Sequence, residues 1–62
     1  MAMDLVKIGS YIAEKRKSLG MTQKQLAEKL GKSDKSVSKW ERGICLPDVS
    51  VYLELCEILG IS

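Results

Sequence analysis

Residues 22–43 read TQKQLAEKLGKSDKSVSKWERG. The first four, Thr22-Gln23-Lys24-Gln25, form a T-x-x-Q capping box. The Thr22 hydroxyl can accept from the amide of residue 25, and the Gln25 side chain can reach back to the amide of Thr22. A helix therefore starts here, with Leu26, Ala27 and Leu30 as its apolar stripe. Gly31 ends it, because glycine enters the left-handed region without a Cβ penalty. Ser33 is a second N-cap, and Asp34 favours the first turn of the helix it opens. That helix runs to about Arg42 and stops at Gly43. Val37 and Trp40 are its only large apolar residues and share one face. The other face carries Asp34, Lys35, Ser38, Lys39 and Arg42, all polar.

Only Gly31-Lys32-Ser33 separate the two helices, so they must turn sharply against each other. Ala27, four residues before Gly31, is small enough for the second helix to approach closely. Val37, six residues after the glycine, seals the pair with Leu26, Leu30 and Trp40. A small residue, a glycine four later and a β-branched residue six later is helix-turn-helix spacing.

Upstream, Asp4 is an N-cap for a helix reaching Leu19, with Leu5, Ile8, Ile12 and Leu19 near one face. Gly9 disfavours the middle of that helix, so either the helix begins at Gly9 or the glycine permits close packing. Lys15, Arg16 and Lys17 suit the last turn, and Gly20 follows it. Downstream, Pro47 and Asp48 open a fourth helix whose stripe is Tyr52, Leu55, Cys56 and Leu59, closed by Gly60. Trp40 and Tyr52 read as core. The fold class is all-α: one domain over residues 1–62, compact, of four helices, with the helix-turn-helix at about 22–42.

The chain has 62 residues, 45% hydrophobic and 29% charged, a globular composition too short for two domains. No run is long and apolar enough to span a bilayer, and residues 1–7 hold no signal segment, so a cytoplasmic protein away from membranes is expected. Histidine is absent and the two cysteines, Cys45 and Cys56, cannot complete a tetrahedral metal site, so neither metal nor cofactor is expected. The cysteines read as buried or half-buried free thiols. No small-molecule site is evident, and nothing suggests an enzyme: there are no convincing paired carboxylates and no glycine-rich phosphate loop. Charge is polarised. Residues 7–42 hold all ten bases against four acids, a net +6, and the remainder is −4. Such a segment fits either a nucleic-acid partner or solvated helix faces.

The sequence resembles the phage repressor/Cro-like, xre-type helix-turn-helix domains of bacterial regulators. The resemblance runs from about Ile8 to Ser62. It is carried by Arg16, Gly20 through Gln23, Leu26-Ala27, Leu30-Gly31, Ser33, Val37-Ser38, Trp40 through Gly43, Pro47 and Leu55 through Gly60. It implies a lambda-repressor-like fold that usually has a fifth helix, here missing, and sequence-specific binding of double-stranded DNA with the second helix of the motif in the major groove. Ser33, Asp34, Lys35, Ser38 and Lys39 are then the base readers, although Asp34 could serve only its helix dipole. Gln23 is implied as a phosphate contact, with an exposed first-turn glutamine as the simpler reading. Lys32 and Arg42 are either further phosphate contacts or solvated charges. Arg16 and Glu41 are implied as a structural salt bridge. The resemblance also implies homodimerisation in a longer regulator, of which these residues would be the reading head. The competing reading is a protein-interaction module, antitoxin-like or adaptor, on the same fold.

Overall fold

A computed structural model describes residues 4–61. Four helices follow in order: α1 (Leu5–Ser18), α2 (Gln23–Leu30), α3 (Asp34–Glu41) and α4 (Val49–Leu59). No strand occurs among the described residues. Helix α3 packs against both α1 and α2, and α4 closes the core against α2 and α1. The core comprises Ile12, Leu26, Ala27, Leu30, Val37, Trp40, Val51, Leu55 and Leu59. No helix among the described residues is long and apolar enough to cross a membrane.

The caps act as their sequences dictate. Asp4 accepts from the amides of Val6 and Lys7 at 3.0 and 3.1 Å. Both halves of the Thr22–Gln25 box are made, at 2.8 and 3.1 Å. Ser33 accepts from the amide of Ser36 at 3.3 Å. Asp48 stands at the α4 N-cap, but its side chain makes no capping bond. Helix α3 ends at Glu41, with Arg42 as its C-cap.

Gly9 lies within α1, not at its start, and it is buried. A Cβ there would meet the carbonyl oxygen of Trp40 and would lie 2.6 Å from that of Glu41. Glycine at this position lets α1 and the end of α3 touch backbone to backbone.

Three expectations are corrected. Tyr52 is exposed and Cys56 half-buried, and the buried stripe of α4 is Val51, Leu55 and Leu59, with Ile58 packed beside it. The apolar residues of α4 surround much of its circumference, so periodicity alone left the buried face undetermined. Leu19, the C-cap of α1, is exposed and takes no part in the core. Cys45 is exposed in the segment between α3 and α4.

The packing at Gly9 generates a test. Gly9→Ala should improve helix propensity by ~1 kcal/mol. The clash with rigid backbone oxygens should outweigh that gain, because overpacking costs roughly 1–3 kcal/mol and can exceed this range. A lower thermal midpoint by circular dichroism is expected; a raised midpoint would show that the two helices can separate freely.

Candidate nucleic-acid interface

The turn between α2 and α3 is built from backbone geometry. Gly31 adopts φ 68° and ψ 30°, the left-handed region. Its amide donates to the Glu28 carbonyl at 3.2 Å, and the Lys32 amide donates to the Ala27 carbonyl at 2.9 Å. These bonds satisfy carbonyls that the end of α2 would leave unpaired. The Ser33 cap then starts α3 in its new direction.

The inner side of α3 is closed. Val37 is fully buried and Trp40 is 6% exposed. The outer side carries Asp34, Lys35 and Lys39, all exposed, with Ser38 half-buried beside them. Ser33 is exposed too, but its hydroxyl serves the cap and lies 3.1 Å from the Ser36 hydroxyl. Arg42 is exposed and donates from Nε to the Ser38 carbonyl at 3.4 Å. Lys32 is exposed in the turn.

Behind this surface lies one polar hub. Arg16 donates from Nε to Glu41 Oε2 at 2.7 Å and from Nη2 to Glu41 Oε1 at 3.1 Å, a bidentate pair. Its Nη1 donates to the Met21 carbonyl at 2.7 Å. The side chains of Arg16 and Glu41 are 10% and 6% exposed. This is the one ion pair among the described residues. Glu41 Oε1 also accepts from Gln23 Nε2 at 3.0 Å. One carboxylate thus joins the end of α3 to α1 and to the first residue of α2, and its arginine partner ties in the loop before α2. No buried side-chain polar atom among the described residues lacks a partner.

Sequence reasoning missed the bond from Gln23 to Glu41. The two residues are 18 positions apart, and no local pattern signals such a contact. It also missed Lys17, which lines an open depression of about 490 Å³ together with Gln23, Arg42, Glu41, Ser10 and Glu14. Gln23 and Arg42 are therefore brought together, whereas Lys32 lies outside that depression. No cluster of potential metal ligands occurs among the described residues.

A helix-turn-helix family model matches residues 12–62. The uncharacterized HTH-type transcriptional regulator y4dJ of Sinorhizobium fredii is 38% identical over 61 residues, covering 97% of this chain and 79% of that protein. The HTH-type transcriptional regulator ImmR of Bacillus subtilis is 33% identical over 57 residues, covering 92% of this chain and 45% of that protein. The chain therefore spans about half the length of ImmR. Among solved structures, the restriction-modification controller protein C.AhdI from Aeromonas hydrophila superposes with a TM-score of 0.87 at 34% identity. It covers 95% of this chain and 86% of that one.

The hub makes its own forecast. Glu41→Ala leaves Arg16 as an uncompensated buried charge and frees Gln23, and should destabilise the fold by roughly 3–5 kcal/mol. For a domain this small the loss should appear as a much lower urea midpoint. An unchanged midpoint would contradict the burial of the pair.

Proposed function

The chain belongs to the helix-turn-helix family, and on that premise we propose that it binds double-stranded DNA sequence-specifically as a bacterial or phage transcriptional regulator. The observation that carries this reading is the two-sided character of α3. Val37 and Trp40 are sealed inside, while Asp34, Lys35, Ser38 and Lys39 lie along the outer side. A short helix anchored from behind and polar in front fits the major groove, which is wide enough to admit it.

In this reading α3 lies in the groove with Ser33, Asp34, Lys35, Ser38 and Lys39 nearest the bases. Lys35 and Lys39 donate to guanine O6 and N7, and Asp34 accepts from cytosine N4. Gln23, Lys32 and Arg42 bind backbone phosphates, which set register and affinity but carry no sequence information. Arg16 and Glu41 do not touch DNA; they hold α3 in place. One such head reads one half-site, so the regulator works as a homodimer with half-sites ~34 Å apart. Its place is the cytoplasm, where its DNA is, and the function asks for no catalytic group or cofactor.

The test begins with selection of bound sites from a random duplex pool. Binding to the selected duplex should weaken with salt, log affinity falling with a slope of about −0.9 per phosphate neutralised. Lys39→Ala should then cost about 1–3 kcal/mol on the selected duplex and relax preference at one base pair. Equal loss on every duplex would reassign Lys39 to a phosphate. No binding to any duplex at low salt, at protein concentrations of about 50 μM where even non-specific DNA binding registers, would favour a protein partner.

A further inference from the structure

The depression beside the hub holds a cation to which no DNA contact has been given. Lys17 lies in the last turn of α1, is exposed, and lines the same hollow as Gln23 and Arg42. We propose that this hollow seats a backbone phosphate of the DNA, and that Lys17 is a phosphate-binding residue completing a site shared with Gln23 and Arg42. The inference rests on the DNA-binding reading above and extends it to a third helix.

The local charges decide what the hollow can hold. Two acids border it, Glu14 and Glu41. Glu41 is already neutralised by Arg16, and both of its oxygens accept hydrogen bonds from named partners. It therefore offers an anion little net repulsion. Arg16 directs all three of its nitrogens to Glu41 and the Met21 carbonyl, so it is committed to the hub. Among the described residues Lys17 makes no ion pair within 4.0 Å, including none with Glu14 three residues earlier. Arg42 donates from Nε to a backbone carbonyl, and its terminal nitrogens bond to no other described residue. With Glu41 cancelled, Lys17 and Arg42 against Glu14 leave the hollow at a net +1.

Donor supply points the same way. A Gln amide nitrogen carries two N–H groups, and Gln23 gives one to Glu41. The hub thereby fixes the amide with its nitrogen toward Glu41, at the edge of the hollow, and one N–H is left over. That N–H, the Lys17 ammonium and the Arg42 guanidinium are donors without acceptor capacity, which is what a phosphate requires. The neighbouring lysine on α1 has another contact: Lys15 Nζ stands 5.6 Å from the centre of the Tyr11 ring. Lys17 differs from it in facing the hollow. As a last-turn cation Lys17 also favours the α1 dipole, but that role alone gives DNA affinity no dependence on it.

Fluorescence anisotropy of the full chain with a labelled duplex, across a salt series, separates these roles. Lys17→Gln should flatten the slope of log affinity against log salt by about 0.9 per bound chain, and weaken binding roughly eightfold per bound chain at 0.1 M salt, by the same factor on selected and random duplexes. Lys29→Gln, on α2 away from the hollow, should leave the slope unchanged. Glu14→Gln should tighten binding on both duplexes. A thermal midpoint for Lys17→Gln close to that of the parent chain confirms that folding is intact. An unchanged slope in Lys17→Gln, with the parent chain binding normally, would overturn the inference. So would a loss confined to one duplex sequence. If the parent chain binds no duplex, the DNA-binding reading itself fails, and that result is distinct from either of the others.

Discussion

The pairing of Arg16 with Glu41 is the constraint on which the rest of this structure depends. The carboxylate sits at the last position of α3 and is nearly enclosed. It takes two bonds from α1 and one from the first residue of α2, while the same arginine ties down the Met21 carbonyl. A buried pair of this kind is not strong evidence of net stability, because desolvation offsets much of the attraction. Its consequence is geometric. Apolar replacements of equal volume could fill the space, yet they could not fix the orientation of the Gln23 amide. Nor could they tie three segments to one point at the end of α3.

Gly9 makes that hub possible. The missing Cβ lets α1 approach the carbonyls of Trp40 and Glu41, which brings the C-terminal end of α3 against α1. From the other end, the left-handed Gly31 and the Ser33 cap set the direction in which α3 leaves α2. Helix α3 is only eight residues long and would not persist alone in water. It is held at its start by a turn, along its inner side by Val37 and Trp40, and at its end by Glu41. Everything left over faces outward and is polar. In the proposed function this leftover face meets the bases. The charge polarisation of the sequence takes on a structural meaning: Arg16 is withdrawn into the hub, and Lys35, Lys39 and Arg42 remain outside.

Much of this was legible in the sequence because its signals are local. The Thr22–Gln25 box, Gly31, Ser33 and the stripe of Leu26, Ala27, Leu30, Val37 and Trp40 all operate within a few residues, where spacing determines contact. The pairing of Arg16 with Glu41, 25 positions apart, was accessible only through family resemblance. The bond from Gln23 to Glu41 was not accessible at all. Helix α4 failed for a different reason. Val49, Val51, Tyr52, Leu53, Leu55, Ile58 and Leu59 give it apolar residues on several sides, so the packing against α1 and α2 selected the buried face. Val49 and Leu53, 79% and 60% exposed, remain outside. The exposure of Tyr52 is the product of that selection.

In the proposed function the outer side of α3, with the start of α2, is the surface that meets DNA. Backbone amide shift mapping by NMR, with a duplex titrated into labelled protein, addresses it directly. The largest shifts are expected at residues 33–42 and 22–25, with α4 little changed. Shifts concentrated on residues 49–59, with α3 silent, would contradict it.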